Sequence, residues 1–216
     1  MYRRFGKRVF DVTASVLGLV ILSPLLIVLA VLIRVKLGSP VIFKQTRPGL
    51  HGKLFTMYKF RSMTDERDEN GTLLPDTERL TPFGKALRAT SLDELLELWN
   101  ILRADMSFVG PRPLAVQYLQ HYTEEENRRH EVLPGLTGLA QINGRNFLDW
   151  DSRLALDVQY VDELSLMLDM RIAVKTVAAV LKQKDVAVRH VDGIEDFDTE
   201  RIAKQKIHIK GDAVLD

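Results

Sequence analysis

The dominant feature of the hydrophobic pattern is an uncharged run from Val12 to Ile33, interrupted near its middle by Ser23-Pro24. As one straight helix these 22 residues rise about 33 Å, enough to cross a hydrocarbon core of about 30 Å. The flanks argue against crossing. Arg3, Arg4, Lys7 and Arg8 precede the run and Arg34, Lys36, Lys44 and Arg47 follow it, and basic flanks favour the cytoplasmic side at both ends. Pro24 removes the N–H that would bond the Val20 carbonyl, and Ser23 is able to back-bond to a carbonyl and widen a bend. Each half rises only about 15 to 17 Å, one leaflet's depth. The pattern therefore predicts a re-entrant helix broken at Ser23 and Pro24; a kinked but spanning helix is the alternative.

Beyond Ser39 the period shortens. "PVIFKQ" and "KLFTMYKF" are rich in β-branched and aromatic residues and flank the turn-rich "TRPGLHG", which predicts two short strands. "TDERDENGTLLPDTERL" is a polar loop with an Asn70-Gly71 turn. Helical signals follow: Thr81-Pro82 as cap and first residue of a helix through Arg88, a second helix from Ser91 to about Arg103, and a third over Leu114–Glu126. "LPGLTGLAQINGRN" is too Gly-punctuated for either period. Asp149 or Asp151 caps a further helix to about Asp162, and Leu166–Lys184 is an apolar helix with Arg171, Lys175, Lys182 and Lys184 as polar complement. It fits the headgroup plane or a buried bundle equally. These elements give a mostly α chain with a short β element (α+β). It divides into a re-entrant membrane helix at 1–38, a catalytic domain at 39–184 with interfacial amphipathic helices, and a polar tail at 185–216.

Charge sharpens this division. Residues 1–63 carry eleven Lys and Arg against the single acid Asp11, which leaves nineteen against twenty-eight in 64–216. A cationic N-terminal third suits anionic lipid headgroups or phosphates. No basic stripe interleaved with stacking aromatics appears, so nucleic acid is not an expected partner. The absence of cysteine excludes disulfides, thiolate metal sites and thiol nucleophiles. The apolar run lacks a small-residue cleavage site, so the segment is expected to stay on the protein.

Ser91-Leu92-Asp93-Glu94 reads as a capping box, with Ser91 capping and Glu94 answering from the third position. The same four residues place adjacent carboxylates at a helix's positive end, which favours their ionised form and attracts phosphate or magnesium-bound phosphate. An ionised Asp is a competent nucleophile toward phosphorus. Lys59, Arg61, Arg88, Arg112 and Arg145 all lie beside turns or element ends, and together they suffice to neutralise a diphosphate. Pro111 and Pro113 stiffen the backbone around Arg112. Asp157 follows Arg153 by one turn and is either its partner or a member of the substrate-binding set. Asp169 interrupts the apolar stretch "LSLMLDMRIAV", where an unpaired acid would be costly. Asp149-Trp150-Asp151 is an acid-x-acid triplet of the kind metal-dependent glycosyltransferases use, although helix capping explains it better. The five histidines (51, 121, 130, 190 and 208) show no metal-ligand spacing.

"KRVFD" at 7–11, Ser23-Pro24, "KFRSM" at 59–63, "SLDEL" at 91–95, "DMSFVGPRP" at 105–113, "PGLTGLAQINGRN" at 134–146 and "DVQYV" at 157–161 occur in order. So arranged, they resemble the bacterial sugar transferases, the monotopic phosphoglycosyl transferases. The resemblance runs from about residue 1 to 184. It implies an enzyme at the cytoplasmic face of the bacterial inner membrane that moves a sugar 1-phosphate from a UDP-sugar to polyprenyl (undecaprenyl) phosphate, with Mg2+ and release of UMP. It implies that Asp93 holds the phosphosugar covalently and that Glu94 assists with the metal or the proton. Lys59, Arg88, Arg112, Arg145 and Asp169 become ligand-binding or site-supporting residues, and downstream glycosyltransferases become possible partners. Many members carry Pro-Gln where Leu96-Glu97 stands here. The spacing is most similar to small transferases that begin N-linked protein glycosylation with a UDP-diacetamido sugar (diacetylbacillosamine). Two other readings stay open: a non-catalytic membrane anchor for glycosyltransferases, and a metal-dependent glycosyltransferase using Asp149 and Asp151.

Overall fold

The computed structural model describes residues 2–144, 148–181 and 197–202. The helical turn Tyr2–Gly6 leads into α1 (Lys7–Lys36), a helix of 30 residues. Helical geometry continues through Ser23-Pro24, where a break was expected. The Ser23 hydroxyl donates to the Val20 carbonyl at 2.8 Å, and that is the carbonyl whose usual donor Pro24 lacks. The Ser-Pro pair thus repairs locally the hydrogen bond that it removes.

Both halves of α1 rest on the same folded unit. In the first half, Lys7 Nζ pairs with Asp169 at 2.6 Å, Arg8 donates to the carbonyls of Ile101 and Leu102 at 2.6 and 2.8 Å, and Asp11 accepts from the Phe108 amide at 3.1 Å. In the second half, Leu29, Ile33 and Leu37 join a buried cluster with Phe60 and Leu87. Lys7 and Arg8, two of the basic flanking residues, are tied to protein. The opposite face, including Val20, Ile27, Val31 and Val35, is apolar and exposed.

Strands β1 (Ile42–Pro48) and β2 (Leu54–Phe60) pair antiparallel from Ile42 opposite Phe60 to Pro48 opposite Leu54, as the sequence predicts. Past the polar loop come α2 (Asp76–Arg79) and α3 (Pro82–Ala89), the latter capped by the Thr81 hydroxyl accepting from the Gly84 amide. The helix expected from Ser91 to Arg103 divides into a 3₁₀ turn, Leu92–Glu94, and α4 (Glu97–Leu102). The helix expected over 114–126 is likewise a 3₁₀ stretch, Val116–His121, followed by the short α5 (Glu124–Asn127).

Two three-residue strands lay outside sequence expectation. β3 (Ser107–Val109) runs parallel to β4 (Gly135–Thr137), and α6 (Leu139–Ile142) follows. Strands this short have no readable period, and glycine makes them possible. A Cβ on Gly135 would lie 2.1 Å from the Gly110 nitrogen, and one on Gly110 would lie 2.4 Å from the Leu133 carbonyl oxygen. The two backbones meet where only glycine fits. Helices α7 (Trp150–Glu163) and α8 (Leu166–Leu181) close the unit, with Tyr160, Val161 and Ile172 packed against Val109, Val132 and Leu139. α8 buries Asp169 and Ile172 but leaves Leu166, Met167, Met170, Val174 and Val177 exposed, which is not the pattern of a buried bundle helix.

The chain beyond α8, expected as a polar tail, contributes a helical stretch at 197–202. Its Phe197 is fully buried among Leu114, Tyr118, Trp150 and Leu154.

The glycine contact gives a direct test. Gly135→Ala should destabilise the protein by about 3 kcal/mol or more, since neither backbone has room to yield. Thermal unfolding in nanodiscs would read this as a large fall in Tm; an unchanged Tm would mean that the β3–β4 approach is looser than described.

Candidate active site

The site is built on residues 91–97. Leaving α3, the chain takes Ser91 into left-handed backbone at φ 55°, a conformation costing a non-glycine residue about 1 kcal/mol or more. That geometry is incompatible with an N-cap, whose backbone is extended. The Ser91 side chain caps nothing, and the expected capping box is absent. A three-residue 3₁₀ turn also has little dipole to offer, so the support expected from a helix's positive end must come from side chains.

Lys59 and Arg112 supply it. Glu94 Oε1 accepts from Lys59 Nζ at 2.7 Å and from Arg112 Nη2 at 2.8 Å. Lys59, on β2, also lies 3.1 Å from Glu97 Oε1, so one ammonium bridges two acids. Arg88, at the end of α3, donates through Nε to the Ser62 hydroxyl at 2.9 Å and places its charge near Asp93. Glu97, only 2 % exposed, was not among the expected site residues. Its sole signal was its place in the Leu96-Glu97 departure from the usual Pro-Gln.

Asp93 is 8 % exposed and takes no hydrogen bond from any described residue. Burial pushes its carboxyl up to about 6, with Glu94's charge adding to the rise, while Lys59, Arg88 and Arg112 hold it back. Burial also favours the neutral forms of Glu94 and Glu97. Arg112 and Lys59 overrule this at Glu94, which stays well below the usual carboxylate range, whereas Glu97 remains raised. Near neutral pH the cluster therefore has an ionised Glu94, a mostly ionised and unpartnered Asp93, a proton available to Glu97, and three cations. The balance is positive and suits a polyanion.

The loop bearing Arg112 is fixed from behind. Gly135 N donates to the Pro111 carbonyl at 2.9 Å, and Arg129 Nη2 donates to the Arg112 carbonyl at 2.7 Å. The Arg112 guanidinium itself stays partly open to solvent.

The structure brings Asp93, Glu94, Lys59, Arg88 and Arg112 together, but not Arg61, Asp157 or Asp169. Arg61 spends its donors on the carbonyls of Met63 and Ser39 and on Asp65. Asp157, 2 % exposed, is paired with Arg129 at 2.7 Å, and Arg153 stacks over Trp150. Asp169 is satisfied by Lys7, Tyr2 and Tyr160, which resolves the cost of an acid in an apolar helix. Arg145 lies outside the described residues. Asp149 caps α7 by accepting from the Ser152 amide, and Asp151 pairs with Arg201, so the acid-x-acid triplet is accounted for without a metal.

With the geometry in view, the sequence profile of the bacterial sugar transferases matches residues 2–183. The chain belongs to the bacterial sugar transferase family. It is 54% identical over 180 residues to the uncharacterized sugar transferase EpsL of Bacillus subtilis (strain 168), covering 83% of this chain and 89% of that protein. It is 40% identical over 197 residues to the undecaprenyl-phosphate galactose phosphotransferase of Salmonella typhimurium. It is 41% identical over 190 residues to the UDP-glucose:undecaprenyl-phosphate glucose-1-phosphate transferase of Xanthomonas campestris pv. campestris. Each of these two matches covers 83% of this chain; the chain spans 41% of the Salmonella protein and 39% of the Xanthomonas protein.

The sign of each perturbation at Asp93 yields a prediction for this sugar transferase. In metal-free protein, carboxyl 13C NMR should show Asp93 titrating near 6. Arg112→Met removes a charge that lowers this value and should move it up; Glu94→Gln removes one that raises it and should move it down. Shifts of the opposite sign would mean that these charges do not govern the site.

Proposed function

We propose that this chain is a phosphoglycosyl transferase that moves a sugar 1-phosphate from a UDP-sugar to undecaprenyl phosphate, releasing UMP. The observation that carries this reading is Asp93: a buried carboxylate without a hydrogen-bond donor among the described residues, ringed by Lys59, Arg88 and Arg112. A structural acid so placed is expected to be paired. A nucleophile for a diphosphate needs the opposite, a free oxygen inside a cationic cradle.

In the proposed reaction an Asp93 oxygen attacks the sugar-bearing phosphorus and the bond from that phosphorus to the bridging oxygen breaks. UMP leaves with the bridging oxygen, and the sugar phosphate stays on Asp93 as an acyl phosphate. The phosphate of the lipid then attacks the same phosphorus and returns the Asp93 carboxylate. Arg112 and Lys59, already aimed at one oxygen of Glu94, are placed to share their donors with diphosphate oxygens, and Arg88 adds its charge near Asp93. Asp93 and Glu94 suit a Mg2+ ion, which takes one or two carboxylates and completes its shell with phosphate and water oxygens. When bound, it would offset charge on the diphosphate.

Leu92, Leu95 and Leu96, which flank the dyad, pack on the second half of α1 beside Leu29 and Ile33. This supports a site at the membrane surface, where a lipid phosphate and a soluble nucleotide sugar both reach Asp93. Contact of both halves of α1 with one folded unit supports a re-entrant, monotopic seat at the cytoplasmic face of the inner membrane. The exposed apolar faces of α1 and α8 support contact with lipid.

Asp93→Asn should abolish UMP formation when membranes are given undecaprenyl phosphate and a panel of UDP-glucose, UDP-galactose and a UDP-diacetamido sugar. Retained turnover would remove Asp93 from the chemistry. UDP in place of UMP would favour direct glycosyl transfer, and no product from any sugar would favour an anchor. For the topology, cysteines introduced at Arg3 and Lys53 should both react with an impermeant maleimide only from the cytoplasmic side; labelling from opposite sides would mean that α1 spans.

A further inference from the structure

The aromatic pocket behind the Arg112 loop is filled by a segment lying outside the region that matches the family. Residues 197–202 follow the matched span 2–183, yet Phe197 has no exposed surface. Its ring sits 5.2 Å from those of Tyr118 and Trp150 and 5.3 Å from that of Tyr122. The segment is tied down at each turn. Asp198 accepts from Gln117 at 2.9 Å, and Arg201 lies over the Phe197 ring while pairing with Glu126 and, at 2.8 Å, with Asp151.

A continuous set of contacts runs from this pocket to the catalytic cluster. The Tyr122 ring that meets Phe197 also lies under the Arg129 guanidinium, 5.6 Å from centroid to Cζ, and its hydroxyl accepts from Arg129 at 3.4 Å. Arg129, 2 % exposed, is held on its other side by Asp157 and donates to the Arg112 carbonyl at 2.7 Å. Arg112 in turn reaches Glu94. Phe197 and Arg129 are buried and Tyr122 between them is partly buried, so a void at Phe197 would be relieved first at Tyr122 and then at Arg129.

We propose that Phe197 is a positioning residue for Arg112. Seated in the Tyr118–Tyr122–Trp150 pocket, it fixes Tyr122 against Arg129, and Arg129 fixes the backbone from which Arg112 reaches the anionic ligand. The functional part of this inference rests on the site proposed above, whereas the mechanical part does not.

The test uses the full chain in nanodiscs. Phe197→Ala should speed amide hydrogen exchange across residues 107–114 and 128–132 by about tenfold. It should raise KM for the UDP-sugar by about tenfold while changing kcat by less than about twofold. Phe197→Leu, which refills most of the pocket, should restore both. In an Arg112→Met background, Phe197→Ala should leave KM where Arg112→Met put it. Unchanged exchange at 107–114 overturns the proposal, as does an additive KM effect in the double variant or a loss of kcat with KM intact. If the wild-type protein turns over no UDP-sugar, the functional reading fails and the exchange data still decide whether the tail holds the loop.

Discussion

The site depends on one constraint: three acids, the buried Asp93 and Glu97 and the partly buried Glu94, lie within five residues of one another and cannot all be neutralised locally. A cluster of carboxylates withdrawn from water without nearby positive charge is costly, so cations arrive from elsewhere in the chain. Lys59 comes from the second strand of the hairpin and Arg112 from the Pro-bracketed loop, and both reach the same oxygen of Glu94. The hairpin, the loop and the 91–97 segment must therefore converge for the charge to balance. Lys59 and Arg112 serve Glu94 fully and Glu97 in part, and Asp93 is left uncompensated by any direct partner among the described residues. Burial and a like charge push Asp93 upward and no described residue donates to its oxygens, which is the state the proposed nucleophile requires.

The close approach of glycine backbones places Arg112. Gly110 and Gly135 let the β3 and β4 strands approach until the Gly135 amide reaches the Pro111 carbonyl, and Pro111 and Pro113 then limit how the loop departs. Behind it the Arg129–Asp157 pair acts through the backbone alone. This division explains why Asp157 occurs in the motif without reaching the cluster: it neutralises the arginine that holds the loop. Asp169 works similarly at a distance, binding Lys7, Tyr2 and Tyr160 and so fastening the start of α1 to α8.

What the sequence made legible follows from which signals are local. The hairpin, the Thr81 cap and, of the two candidates Asp149 and Asp151, the Asp149 cap are each specified by a handful of adjacent residues and are found, whereas the long apolar helix continues through the Ser23-Pro24 break expected of it. The dyad and its cations stood out because Asp93 and Glu94 are adjacent and Lys59, Arg88 and Arg112 lie beside turns or element ends. Partners distant in sequence were not. Nothing near Asp157 indicates Arg129, 28 positions away, and nothing near Asp169 indicates Lys7. Short strands held by glycine contact carry no period, and Phe197 in a polar stretch announces no pocket. Local reasoning also misjudged Ser91: the Ser-x-x-Glu spacing is that of a capping box, but Glu94 is drawn to Lys59 and Arg112, and the serine takes up left-handed backbone.

That misjudgement bears on how the membrane and the chemistry are joined. A regular helix starting at Ser91 would turn Glu94 back toward its own backbone. The 3₁₀ turn instead directs Glu94 to its cations while Leu92, Leu95 and Leu96 pack on the cluster of Leu29, Ile33, Leu37, Phe60 and Leu87. The leucines and the acids of one short segment thus divide between the apolar cluster shared with α1 and a cationic cradle. The lipid phosphate of the proposed reaction would require such a boundary, because its two parts are most stable in opposite environments. The strained Ser91 backbone is the local cost of forming this boundary within a few residues, and burial of the flanking leucines against Leu29 and Ile33 offsets it.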